Sequence, residues 1–173
     1  MKSFIIVSDS AETASQSIVV ALRRSILEAG CSAEHMRWPN PAAAPTLACG
    51  SCPHDEQCCQ TDELTAAAQR IVAADASVFV ISESCCAVDS PWLPLLRRLT
   101  EEERGGAKPR YLVLVSPKSA LLAQQMTELL QKAVQNLQMG WTSLTLICGG
   151  SLSQAQEQGF TLGRQWAQRL AGC

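Results

Sequence analysis

Short apolar runs alternate along this chain with longer segments in which apolar residues recur at helical spacing. Four of the runs, at residues 4–7, 77–81, 111–115 and 141–148, are rich in β-branched and aromatic side chains. Continuous apolar runs of this length are typical of strands that are buried on both faces of a parallel sheet. A weaker strand is predicted over residues 32–38, where the Pro39-Asn40-Pro41 breaker ends it.

Helical periodicity follows each of these strands. The spacing predicts helices over five segments, which are residues 18–30, 61–73, 91–104, 119–137 and 153–170. Strands that alternate with helices of this length predict an α/β protein with a five-stranded parallel sheet, helices on both faces and right-handed crossovers. The strand order expected for such a sheet is 2-1-3-4-5.

The bulk composition limits the kind of partner that this protein can have. A chain of 173 residues predicts one domain, residues 1–173. A net charge of −2 and a pI near 5.7 give no support for binding to nucleic acid or to an anionic membrane. No apolar run reaches the roughly 18 residues that span a bilayer, and the first run is too short for a signal peptide. We therefore expect a cytoplasmic protein.

Nine cysteines are many for such a chain, and an odd count without a secretion signal argues against a disulfide framework. Six of them cluster, at Cys49, Cys52, Cys58, Cys59, Cys85 and Cys86. The first four provide enough thiolates for an iron–sulfur cluster or for zinc, and His54 could replace one of them at zinc. Adjacent residues such as Cys58 and Cys59 seldom both face one ion, so free or redox-active thiols are an open alternative.

The middle of the chain resembles a known family. Cys49, Cys52, Cys58, Asp62 and Glu63 match the spacing C-x2-C-x5-C-x3-D-[DE] of the flavodoxin-like NAD(P)H-dependent FMN reductases, which include the iron–sulfur flavoproteins. Ala74-Asp75 and Ser82 resemble the next motif of that family if one extra residue is allowed between them. The order of elements agrees from end to end, so the resemblance implies a flavodoxin-like three-layer fold. It also implies an FMN-binding oxidoreductase or electron-transfer protein.

The resemblance implies where FMN would lie. Its phosphate would bind the hydroxyl-rich loop after the first strand, and its ring would lie beside the loop after the third. The residues concerned are Ser8, Ser10, Thr13, Ser15 and Gln16 in the first loop and Ser82, Glu83, Ser84, Cys85, Cys86 and Ala87 in the second. NAD(P)H is the implied electron source, with a small redox acceptor or a protein redox partner, and a homodimer is a further expectation.

The chain departs from the family pattern in both loops. The first loop has no Arg or Lys, and Asp9 and Glu12 place negative charge near the expected phosphate. The second has Glu83-Ser84-Cys85-Cys86 where the family has Pro-x-Tyr-Trp, so the aromatic stack on the ring is missing. Two alternatives therefore stay open. One is a flavin-free domain that acts as a metal-binding, thiol-binding or interaction protein. The other is a thiol–disulfide protein.

Single residues outside these loops predict packing rather than chemistry. His35 lies in a predicted strand and is interpreted as a hydrogen-bonded polar residue, not a ligand. Trp92 could lean over the site, although packing is the favoured interpretation, and Trp141 and Trp166 follow the apolar pattern of the core. No Ser/His/Asp or Cys/His set is apparent, so hydrolase chemistry finds no support.

Overall fold

A computed structural model describes residues 1–9, 13–39, 63–82, 92–102, 108–116, 142–148 and 150–172. Five strands form one parallel sheet in the order β2-β1-β3-β4-β5. They are β1 (Ser3–Ser8), β2 (Ser32–Arg37), β3 (Ala76–Ser82), β4 (Arg110–Ser116) and β5 (Ser143–Cys148). Each lies within two residues of its predicted position, and the predicted strand order is confirmed.

Four helices occupy the described part of the chain. They are α1 (Thr13–Glu28), α2 (Glu63–Ala73), α3 (Trp92–Glu102) and α4 (Leu152–Ala171). The predicted helix over residues 119–137 lies outside the described residues. Helix α1 begins five residues earlier than its apolar spacing indicated, because Ser15 occupies a buried position in its first turn and continues the inward-facing stripe with a polar side chain.

The sheet separates two apolar cores. On one face, the side chains of Phe4, Ile6 and Val78 pack against α1 and α4. On the other, those of Ile5 and Phe79 pack against α2 and α3. Every residue of β3 and β4 is buried, and their middle residues, 78–81 and 111–115, are all apolar or aromatic, as a parallel sheet covered on both faces requires.

Helices α1 and α4 approach each other closely, because α4 presents glycine at the contact. A Cβ atom added at Gly159 would lie 3.1 Å from the carbonyl oxygen of Ile18, and one at Gly163 would lie 2.9 Å from that of Leu22. Gly30 lies two residues beyond the end of α1, and its φ of 81° suits glycine. The Gly30 and Cys31 N–H groups donate to the carbonyls of Leu27 and Ile26, which closes the last turn.

Asp75, which matches the family motif, lies beside the amino ends of β1 and β3. Its carboxylate accepts hydrogen bonds from the backbone N–H of Ser3 at 2.8 Å and from the Ser3 hydroxyl at 2.9 Å. These two bonds lower the pKa of Asp75 below its ordinary value, the backbone bond having the larger effect. In this chain Asp75 therefore joins β3 to β1 at the edge opposite the predicted FMN site. None of the described helices has the length and apolar character needed to cross a membrane.

Candidate functional site

The carboxyl ends of β1 and β3 form the point at which the strand order reverses. Strand β2 lies on one side of β1 and β3 on the other, and the helices that follow β1 and β3, α1 and α3, pack on opposite faces of the sheet. Open α/β sheets bind ligands in the crevice at such a point. In the register of the sheet, Ser8 of β1 is opposite Arg37 of β2 and Val80 of β3.

Asp9 and Ser82 connect the two strands at this edge. Asp9 Oδ2 accepts a hydrogen bond from the backbone N–H of Ser82 and another, at 2.9 Å, from its hydroxyl. The Asp9 N–H donates to the Val80 carbonyl oxygen at 3.3 Å. Asp9 is only 1% exposed, so its carboxylate is buried at the carboxyl ends of these strands. The sequence indicated the charge of Asp9 but gave no sign that it would turn inward to β3.

Ser8, a predicted phosphate ligand, is joined to His35 of β2. Ser8 Oγ lies 2.9 Å from His35 Nε2, and Ser8 is 2% exposed. Burial, and then the charges of Arg37 and Arg23, lower the pKa of His35, so the imidazole is neutral at neutral pH. The hydrogen bond agrees with the interpretation of His35 as a satisfied polar residue.

The first turn of α1 holds the remaining described phosphate candidates. Thr13 and Gln16 are exposed, whereas Ser15 is fully buried. No hydrogen-bond partner for Ser15 Oγ occurs among the described residues. Side chains on a helix tilt toward its N-terminus, where backbone N–H groups favour an anion. The first turn of α1 thus contains a buried hydroxyl with no described partner.

Several predicted residues lie outside the described part of the chain: Ser10, Cys49, Cys52, Cys58, Cys59, Glu83, Ser84, Cys85, Cys86 and Ala87. Their assignment to flavin or metal stays a prediction. Within the described ranges, no group of three or more His, Cys, Asp or Glu residues could hold a metal ion. Cys31 is a free, buried thiol.

Two tryptophans belong to the core, as their patterns predicted. Trp92 is buried and lies edge-on to Phe79, with ring centroids 6.2 Å apart. Trp166 of α4 stacks on Tyr111 of β4 at a centroid distance of 4.4 Å. Trp92 therefore packs against β3 rather than over the predicted FMN site. Trp141 lies outside the described residues.

Solved structures of flavoproteins and quinone reductases resemble this one. A flavodoxin from the domain Archaea has a TM-score of 0.61 at 11% identity, covering 98% of this chain and 99% of its own. The NAD(P)H:quinone oxidoreductase of Methanothermobacter marburgensis has a TM-score of 0.60 at 13% identity, covering 98% of both chains. The rubredoxin oxygen:oxidoreductase of Desulfovibrio gigas has a TM-score of 0.65 at 13% identity, covering 99% of this chain.

This chain spans 37% of the Desulfovibrio gigas protein and 37% of the similar flavodiiron protein from Giardia intestinalis. No protein-family profile matches the chain, and no curated protein is significantly similar to it in sequence. Identities this low carry information on the fold alone. The neighbours have the flavodoxin-like fold, and the expectation of that fold is confirmed.

Proposed function

We propose that this chain binds FMN at the carboxyl edge between β1 and β3, and that it serves as a flavin-dependent oxidoreductase or electron-transfer protein. The observation that carries the proposal is the Ser15 hydroxyl, fully buried without a described partner in the first turn of α1. Buried polar groups are nearly always hydrogen-bonded, so an unsatisfied one at a ligand-binding edge indicates a missing ligand.

The described residues fit the phosphate end of FMN. Thr13 and Gln16 are exposed around the start of α1, Ser15 adds a buried donor, and the helix dipole favours negative charge there. Ser8 and Ser82 would serve only after exchanging their present partners, His35 and Asp9. When bound, FMN would supply the electron-transfer chemistry, while the chain positions it and shields it from water.

The electron source and the acceptor follow from the same proposal. The structural neighbours include an NAD(P)H:quinone oxidoreductase and a flavone reductase. NAD(P)H is thus the proposed donor, with a small quinone-like acceptor or a protein redox partner. An anaerobic absorption spectrum of the purified protein would separate flavin, iron–sulfur and bare protein, and would also test the cysteines at residues 49–59.

Replacing Ser15 with alanine tests the phosphate site. In the ligand-free protein, Ser15→Ala should raise the free energy of unfolding by about 1 kcal/mol, because it removes a desolvated hydroxyl. It should also weaken FMN binding about tenfold, since a hydrogen bond to a charged group contributes about 1.5 kcal/mol. Fluorescence titration of FMN and urea denaturation measure the two effects, which have opposite signs.

Two controls make this experiment specific. Ser25→Ala lies on the same helix at an equally buried position, but Ser25 Oγ already donates to the Leu22 carbonyl at 2.9 Å. That variant should gain no stability and should bind FMN like the wild type. Riboflavin, which lacks the phosphate, should bind the wild type and Ser15→Ala equally. Unchanged FMN affinity in Ser15→Ala would refute the assignment of the phosphate to α1.

The buried carboxylate of Asp9 supports a second candidate, a flavin-free domain. A negative charge at the strand ends opposes a nearby dianion, and Asp9 already engages Ser82. If this charge is what excludes FMN, the wild type will not bind it at high micromolar concentration and Asp9→Asn will. Failure of both proteins to bind would leave the metal-binding, thiol-binding or interaction functions as the alternatives.

A further inference from the structure

Among the described residues, strand β2 is an edge of the sheet, and alternate residues on it direct hydrogen-bonding groups away from β1. The N–H of Ser32 donates to the Lys2 carbonyl, and that of Trp38 donates to the Ser8 carbonyl, both at 2.9 Å. The even-numbered residues of β2 therefore pair with β1. Because the backbone alternates, Ala33, His35 and Arg37 direct their N–H and C=O groups away from β1, and of these the Ala33 carbonyl already accepts a hydrogen bond from Arg23.

Two grooves flank this edge. One, of about 780 Å³, is lined by residues of β1, β2 and both adjoining helices, including Arg23 and Arg70. The other, of about 380 Å³, lies between the end of β2 and α2. His35 and Arg70 line both grooves.

The edge carries positive charge that the described residues do not neutralise. Arg70 pairs with Glu34, and Arg24 pairs with Glu28. No acidic partner for Arg23 or Arg37 occurs in the described part of the chain. Both arginines are exposed, and the charge of each lowers the pKa of His35. The lining of the two grooves contains three arginines and two glutamates, Glu34 and Glu63, and this excess of cations favours an acidic partner.

Helix α1 adds exposed apolar side chains beside the same edge. Arg23 Nε donates to the Ala33 carbonyl at 3.4 Å, which shows that this side of α1 faces β2. Val20 and Leu27 lie one turn before and after Arg23 and are 64% and 48% exposed. An occupant of the edge would therefore meet apolar contacts as well as cations.

We propose that the open edge of β2 binds an extended segment of a partner protein in which acidic and apolar residues alternate, paired through the main chain as a sixth strand. A second copy of this chain is disfavoured, because pairing two β2 edges would bring their unneutralised arginines together. This inference does not depend on FMN, since the edge lies on the far side of β1 from β3.

The test uses the full-length 15N-labelled protein and a synthetic peptide of alternating Glu and Val residues. Binding should shift the amide resonances of Ala33, His35 and Arg37 and slow their hydrogen exchange. The amides of Glu34 and Met36, which already face β1, serve as internal controls. Arg37→Glu should weaken binding about fivefold, whereas Arg164→Glu on α4 should not. Arg23→Glu provides a second charge reversal at the edge.

Several results would overturn the proposal. One is protection of the three outward amides in the free protein, which would mean that this chain or a second copy already covers the edge. Equal binding of a Lys/Val peptide would show that the edge has no preference for an acidic partner. Undiminished binding of a peptide N-methylated at alternate residues would exclude main-chain pairing. No resonance shift at millimolar peptide would exclude the site altogether.

Discussion

Adding a methyl group at Gly163 should separate α1 from α4. A Cβ atom there would lie 2.1 Å from Ser25 Oγ, 2.9 Å from the Leu22 carbonyl oxygen and 3.2 Å from the Leu22 Cα. The hydroxyl can rotate away only by losing its 2.9 Å hydrogen bond to Leu22. The backbone of Leu22 can yield only if the helices move. Because α1 carries the predicted phosphate site at its other end, such a movement also reaches that site.

The expected magnitude follows from three terms. Overpacking of this kind costs about 1–3 kcal/mol, and the lost hydrogen bond costs about 1 kcal/mol. Alanine gains about 1 kcal/mol over glycine in helix propensity, which offsets part of this. Gly163→Ala should therefore lower the free energy of unfolding by about 2 kcal/mol. A Cβ atom added at Gly159 would have the Ile18 carbonyl oxygen as its nearest neighbour, at 3.1 Å. This milder crowding should about cancel the gain in helix propensity, so Gly159→Ala should leave the free energy of unfolding nearly unchanged.

Urea denaturation followed by circular dichroism measures both variants. The double variant Ser25→Ala/Gly163→Ala isolates the hydroxyl, because it removes the 2.1 Å contact and leaves the Leu22 backbone in place. It should recover part, but not all, of the lost stability. Equal stabilities of Gly159→Ala and Gly163→Ala, or a Gly163→Ala protein more stable than the wild type, would refute the described packing of α1 on α4.

Two further variants probe the same half of the molecule. The pKa of His35 is lowered by folding, so the unfolded chain binds the proton more tightly, and stability should fall as pH drops below about 6.5. His35→Gln should flatten that part of the dependence of the urea midpoint on pH, and an unchanged slope would contradict the assignment. Gly30→Ala should cost about 1 kcal/mol through backbone strain alone, because φ is 81° and no atom lies within 4 Å of the added methyl group. Wild-type stability of that variant in the same urea assay would show that the left-handed turn is not required.

Strand positions and their order could be predicted from the sequence, because β1, β3 and β4 are buried on both faces and their apolar runs have few alternatives. The start of α1 could not, since three of its first four residues carry hydroxyl groups or amides. In the structure, Ser15 among them takes an inward-facing position that apolar spacing does not mark.

For the candidate site the sequence indicated only a location, and that location stays a prediction. The resemblance placed the phosphate residues at the ends of β1 and the start of α1. It could not show that Asp9 turns toward Ser82, or that Ser8 contacts His35, since those contacts join residues 73 and 27 positions apart. Asp75 shows that a motif match does not by itself place a residue in the site. It joins β1 and β3 at the end of the sheet opposite the predicted FMN site.

The pair of aspartates at the two ends of β1 and β3 has a consequence for strand alignment. Each accepts from the backbone N–H and the hydroxyl of a serine on the neighbouring strand, Asp75 from Ser3 and Asp9 from Ser82. A slip of one residue between β1 and β3 would break all four bonds and turn every side chain to the wrong face. The alignment of these strands is thus fixed from both ends. The loops after β1 and β3 can therefore change in sequence without moving the strand ends from which they begin.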